Sequence, residues 1–540
     1  MAAPAAAPAA AAAARLPRQI PYIIGNEACE RFSFYGMRNI LVQFLVSSVL
    51  LAYLPDADRE GVAKDVFHSF VIGVYFFPLL GGWLSDRFFG KYDTVLWFSL
   101  VYCAGHACLA MFDDDRNGFY TGLFLIALGS GGIKPLVVSF VGDQFTRDNK
   151  HLAKVVFDFF YWTVNFGSFF ATLLMPLFLR SYGPAVAFGI PGVLMLMATI
   201  IFWLGRRQYV RVPPTRGQDP HSFSNVARTA LTVQVPGQGR PGFVVAVAGA
   251  AIAVVLLLCW ALRPAFWPEG FGFVITACLA LGVLIAAGGI GTSLQLERAR
   301  GLHPDAAVDS VRAVLRIVIV FALTTPFWSL FDQKASTWVL QGQQMVVPHA
   351  HWWWPSFLVK EASQMQALNP LLVMVIIPFN NLVLYPALRR WGMEPSALRR
   401  MGTGIAFGGV AWIVAGLLQL RLDAGEAVSL STQVWPYLLL TFGEVLVSAT
   451  ALEFAYSQAT AAMKGVIMAL WYLASTFGSL WVLLTNAAVR NDTVTARIAT
   501  TGLSENAFLM FFFAAFAFVA ALAFAAYARR YPVQDNYRLA

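Results

Sequence analysis

Residues 20–54 read IPYIIGNEACERFSFYGMRNILVQFLVSSVLLAYL, long and apolar enough to cross a bilayer as one helix. Yet Glu27, Glu30, Arg31 and Arg38 lie inside the run. A charge at the middle of a span costs roughly 2.5–3.5 kcal/mol even on mild insertion scales. At 100° per residue, Glu27, Glu30, Arg31, Phe34, Tyr35 and Arg38 fall within an arc of roughly 140°. One face of this helix is therefore expected to line a polar cavity. A structural ion-pair cluster that glues helices together is the weaker reading for three charges in five residues.

The rest of the chain places that helix in a membrane protein. Of 540 residues, 58% are hydrophobic, 14% aromatic and 12% charged, against about 25% charged in soluble domains. Apolar spans are expected near 21–50, 65–84, 93–112, 119–141, 154–179 and 184–205, then 242–262 and 267–290, then 313–341, 366–388, 401–420, 434–459, 464–487 and 506–528. Backbone groups in a bilayer must be satisfied within each span, so the fold class is all-α and an open sheet is excluded. Six, two and six spans match the major facilitator architecture: two six-helix bundles, here with two extra helices between them, fourteen transmembrane helices in all. The expected divisions are a disordered tail over 1–19, a first bundle over 20–205, a linker over 206–241, the extra pair over 242–290, a linker over 291–312, a second bundle over 313–530 and a tail over 531–540. The extra pair carries no charge within its spans and reads as a peripheral hairpin.

The net charge of +9 sets orientation rather than nucleic-acid binding, because most of the 38 Lys and Arg residues fall in the tails and in alternate loops. That pattern puts both termini in the cytoplasm. The 5 cysteines lie in apolar spans and form no disulfide framework. Residues 1–19 lack the charged start and apolar core of a signal peptide.

Other charges also lie where the bilayer opposes them: Lys134, Asp332, Lys334 and Glu444. With the four in the first span they make four acids and four bases, a set suited to pairing across a polar cavity. Lys134 lies between a glycine cluster and Pro135 in GSGGIKPLVVSF, where backbone can approach closely. Trp328 and Asp332 share a face, as do Glu444 and Ser448. On a continuous helix Lys334 falls 200° from Asp332, and it either snorkels or faces the cavity. Glu453 is 180° from Glu444, near a span end, and reads as structural. Asp158, near the start of its span, reads as facing headgroups. His68 and Tyr75 are seven apart and stack on one face, with His68 either packed or carrying protons. His106 has no nearby partner in the sequence and no assigned role. No metal-ligand spacing, P-loop or nucleophile motif is present, so an ATP-driven pump or an enzyme is not expected, and no cofactor beyond protons as coupling ion.

Several of these stretches resemble one family. EACERFSFYG is similar to the ExxERFxYYG signature of the proton-dependent oligopeptide transporter (POT or PTR2) family. GGWLSDRFFGKYDTV resembles its second signature, FFYWTVNFGSFF its third, and GEVLVSATALEFAYSQA its segment in the tenth span of the major-facilitator count. The resemblance runs from residue 22 to about 480. The extra pair is usual in prokaryotic members, and the short 421–433 loop departs from animal members, although FHSFVIGVYF and PFWSLFDQ look animal-like. The resemblance implies inward, proton-coupled symport of di- and tripeptides across a plasma membrane, of a bacterial inner membrane type, by a monomer. Glu27, Glu30 and Arg31 would form the proton-coupling cluster with Lys134 in reach. Arg38 would pair with Asp332 until Asp332 takes a proton, and His68 would match a histidine linked to proton handling. Glu444 would receive the peptide's amino terminus, with Arg38 and Lys134 attracting its carboxylate. Tyr35, Tyr75, Asn165, Asn369, Trp328, Ser448 and Trp471 would line the pocket. Three positions depart from the family pattern: Phe34 for a Tyr, Thr460 for a Pro, and Lys334 for a neutral residue. A carrier of nitrate or another small anion, and a non-transporting peptide sensor on the same scaffold, are the alternatives.

Overall fold

Pro21 sits in the first turn of α1, Ile20–Ser47, where a missing N–H leaves no bond unmade. The structure, a computed structural model, describes residues 16–146, 149, 152–214, 219–268, 270–348, 354–356, 359–393, 395–458 and 463–532. The first half continues through α2 (Asp56–Leu84), α3 (Gly90–Met111), α4 (Arg116–Asp143), α5 (Ala153–Tyr182) and α6 (Pro184–Leu204). Next come α7 (Phe223–Thr232), α8 (Pro241–Leu262) and α9 (Phe273–Gln295). The second half holds α10 (Asp305–Asp332), α11 (Thr337–Gln343), α12 (Leu368–Phe379), α13 (Tyr385–Arg390), α14 (Ala397–Asp423), α15 (Val434–Gln458), α16 (Lys464–Val489), α17 (Asp492–Ala499) and α18 (Glu505–Arg530).

Among the described residues, 11 helical stretches are long and apolar enough to cross a membrane, one of them running through both α2 and α3. With α1 and α10, each of 28 residues, the arrangement fits fourteen spans. Each half buries its own core. One is built from residues such as Ile40, Phe67, Tyr102 and Phe188, the other from Val314, Phe327, Trp412 and Phe513. Ala335 and Leu340 of the second half reach into the first core. The helix pair α8–α9 packs on α10 and α16 of the second half.

The structure departs from the sequence expectations in four places. α2 begins at Asp56, a turn and more before the expected 65, because its first turns are polar and lie outside the apolar run. The connection from α2 to α3 is no coil: a wide turn over Ser85–Phe89 closes directly on Gly90, whose φ of 77° favours glycine. The stretch expected as one helix over 313–341 breaks after Asp332 into a tight turn at Gln333–Ala335, with Ser336 non-helical before α11. The linker 206–241 contains α7, whose Val226 and Ala230, four apart, are buried against Leu296 and Val311.

The glycine cluster before Lys134 does what close packing requires. A Cβ on Gly81 of α2 would sit 2.5 Å from the Cα of Gly132 of α4, whereas one on the adjacent Gly82 meets open space. Gly81→Val is expected to force α2 and α4 apart, destabilising by at least about 1–3 kcal/mol as overpacking does. Gly82→Ala should melt with the wild type. Thermal unfolding of the detergent-solubilised variants checks the contrast, and equal melting of the two variants would refute the close approach.

Candidate functional site

Along α1 the charged face meets partners from three directions. Arg31 Nε lies 3.1 Å from Glu27 Oε1 and also donates to Glu30. Glu30 is fully buried, and its Oε1 has no hydrogen-bond partner among the described residues. The ammonium of Lys134 on α4 sits 4.0 Å from the centre of the Phe34 ring and 4.7 Å from that of Tyr75. Such a cation on a ring face is stabilised by the ring quadrupole. Phe34 therefore lacks a hydroxyl but holds a charge in place. Lys134 is also within electrostatic reach of Glu30, Arg31, Arg38 and Asp332. One turn after Phe34, Arg38 Nη2 donates to Asp332 Oδ1 at 2.7 Å, which joins the two halves.

The second half supplies a chain of polar groups. Lys334 Nζ donates to Asn369 Oδ1 at 2.8 Å. Asn369 Nδ2 donates to Glu444 Oε2 at 2.6 Å and to Thr441 Oγ1 at 3.0 Å. The helical-wheel angle that set Lys334 opposite Asp332 does not apply, since α10 ends at Asp332. The turn that follows leaves Lys334 5% exposed and aimed inward, so the snorkelling alternative is corrected. Trp328 and Trp471 meet edge to face with centroids 5.4 Å apart.

The remaining candidates occupy varied positions. Tyr35 packs edge-on to Phe34, and Tyr75 stacks across the seam on Tyr472 at 6.4 Å. Asn165 turns its amide back to the carbonyl of Tyr161 on its own helix. Ser448 is half-buried, one turn beyond Glu444. His68, fully buried, shares hydrogen bonds with Ser336 Oγ at 3.0 Å and Ser479 Oγ at 3.4 Å. Asp158 and Glu453 are exposed. The expectation that His106 lacks a partner is corrected: it shares a 2.9 Å hydrogen bond with Ser33 of α1 and stacks on Tyr102. That contact joins residues on different helices, which sequence proximity cannot reveal. Thr460 lies outside the described residues.

Sequence reasoning missed a layer of bonds where α1 ends and α2 begins. Arg180 pairs with Glu361 at 2.8 Å, Ser363 donates to Gln43 at 2.7 Å, and Gln364 donates to the carbonyl of Leu173 at 2.7 Å. Asp65 accepts from Asn486 at 2.9 Å and pairs with Arg490. With Arg38–Asp332 and the His68 bonds, these close the two halves at that end. Charges near helix ends are ordinary, so only Glu361 carried a signal. Its side chain and that of Gln364 cap the turn reciprocally, a spacing legible in sequence.

Asp332→Asn should loosen this closure, because removing one partner of a buried pair costs about 3–5 kcal/mol. A cysteine placed at Gln43 is expected to react faster with an impermeant maleimide when Asp332 is Asn. An unchanged rate would show that the pair does not hold the closure.

The fold and its charged seam define a multi-pass helical membrane protein of major facilitator type. The chain belongs to the POT family, whose sequence model matches residues 92–502. It is 31% identical over 421 residues to Peptide transporter 3 of Caenorhabditis elegans, covering 75% of this chain and 51% of that protein. It is 30% identical over 426 residues to solute carrier family 15 member 2 of Mus musculus, covering 75% and 49%. The chain thus spans about half the length of the curated relatives it matches. Its structure resembles the crystal structure of an auto-inhibited POT family peptide transporter, 64% identical with a TM-score of 0.91, over 96% of this chain and 98% of that one. A second POT family transporter, solved in meso, is 60% identical with a TM-score of 0.91, over 97% and 100%.

Proposed function

We propose that the chain is a proton-coupled symporter that imports di- and tripeptides by alternating access. The observation that carries this reading is the sign of charge on each side of the seam. The first half offers Arg38 and Lys134, and the second offers Glu444, held by Asn369. A peptide is a zwitterion and needs a base and an acid at fixed separation. Between them, Tyr75, Trp328 and Trp471 present aromatic surface that accommodates varied side chains. A nitrate carrier would have no use for Glu444, and the intact Glu27, Glu30 and Arg31 cluster argues for proton coupling.

In this reading protons are the coupling ion and no other cofactor is required. Glu27, Glu30 and Arg31 carry the proton, with His68 beside the closure. Arg38 lets go of Asp332 when Asp332 is protonated. Tyr35, Asn165 and Ser448 complete the pocket wall. The excess of basic loops puts both termini in the cytoplasm, in keeping with a bacterial inner membrane, so the closure faces outward. A single copy contains every group named.

Uptake into proteoliposomes tests the proposal, with and without an inward proton gradient, for dialanine, trialanine and nitrate. Gradient-dependent uptake of both peptides and none of nitrate is expected. Nitrate uptake alone supports the anion carrier, and binding of peptide without exchange supports the sensor.

A further inference from the structure

The seam between the extra helix pair and the second half contains an apolar groove that peptide transport does not use. Its first part, about 560 Å³, is walled by Leu231 of α7, Val247 of α8, Gly288 of α9, Leu315 of α10 and Val466 of α16. A second part, about 520 Å³, shares Ile285, Val318 and Leu470 with it and continues to Leu484. On α9 the first part reaches from Leu284 to Thr292, roughly 12 Å of helix. That is close to the depth of one leaflet, half of a hydrocarbon layer about 30 Å thick.

The mouth of the groove is basic. Arg228 lines it and is exposed. The guanidinium of Arg240 sits 4.6 Å from the ring centre of Phe243, another lining residue. Among the described residues neither arginine forms an ion pair. No Asp or Glu occurs between Asp219 and Glu269 in the sequence, and Glu297 beyond is bound to Arg300 and Arg312. Gln295 fixes this end in place. Its Oε1 accepts from the backbone N–H of Gly242 at 2.8 Å, and its Nε2 donates to the carbonyl of Ala230 at 2.9 Å.

We propose that this groove is a binding site for an anionic phospholipid of the leaflet on the α7 side, with an acyl chain in the groove and the phosphate on Arg228 and Arg240. The lipid would stand behind the wall of the charged seam. Leu470 faces the groove while the adjacent Trp471 meets Trp328. Phe321 lines the second part and packs on Trp471 with centroids 5.4 Å apart. This site depends on the membrane-spanning fold and not on which substrate is carried.

The test is native mass spectrometry of the full chain titrated with palmitoyl-oleoyl phosphatidylglycerol or the matching phosphatidylcholine. The wild type is expected to retain one phosphatidylglycerol with roughly thirtyfold preference, the scale for two basic side chains beside an anionic headgroup. Arg228→Gln with Arg240→Gln should abolish the preference. Gly288→Phe, which adds its side chain where a Cβ meets open space, should weaken retention of both lipids. Equal retention of the two lipids by the wild type, or a preference that survives in the double arginine variant, would overturn the site. Both arginines lie at the surface end of the groove, so that arm stands even if Gly288→Phe folds poorly.

Discussion

Glu30→Gln is expected to end concentrative peptide uptake while leaving exchange intact. Glu27 and Glu30 share one guanidinium, that of Arg31. The trio carries one negative charge until one carboxyl takes a proton. Glu30 is fully buried, and its Oε1 has no hydrogen-bond partner among the described residues. Glutamine keeps the shape and removes both the charge and the protonation step. A coupled charge is worth about 2.3 kcal/mol per 100 mV, roughly fiftyfold in accumulation. In proteoliposomes with an inward proton gradient, the variant should equilibrate labelled dialanine and accumulate none. Counterflow of dialanine, which needs no net proton movement, should persist. Wild-type accumulation by the variant would remove Glu30 from the coupling step.

Glu444→Gln is expected to weaken dialanine binding by roughly thirtyfold or more, the scale of losing one partner of a buried charge pair, 2–5 kcal/mol. The loss has two sources. The carboxylate that would receive the amino terminus is gone, and Lys334 remains on Asn369 with a positive charge in the same place. The discriminating measurement compares dialanine with N-acetyl-dialanine as inhibitors of counterflow. Wild type should favour the free amino terminus strongly, and the variant should distinguish the two weakly. Unchanged affinity for dialanine, with unchanged discrimination, would end the amino-terminus role of Glu444.

What the sequence revealed of the fold was set by how the bilayer filters residues. The charged face of α1 was readable because each charge in an apolar run stands out, and the structure buries Glu27, Glu30, Arg31 and Arg38. The apolar positions of α1 were less informative. Val42 is also buried, because α1 packs on α5 and α6 as an interior helix. Lys334 was unreadable because its direction depends on where α10 stops, and an apolar run does not mark a break at Asp332. α7 escaped notice because ten residues with two buried positions make a faint periodicity inside a basic linker. The closing layer of Arg180, Glu361, Asp65 and Arg490 was hidden for a third reason. Its partners are far apart in the chain and lie near helix ends, where charge is ordinary.

That layer has a consequence for how the molecule can move. Each half has a core of its own, but apolar contacts also cross the seam near the closed end: Ala335 and Leu340 reach into the first core, and Ile72 of α2 clusters with Leu480 and Leu483 of α16. Each exchange of a protein bond for a water bond costs about 0.5–1.5 kcal/mol net. Parting the halves there breaks these polar bonds and uncovers the apolar side chains together, so the closed end is a seal against water as well as a latch.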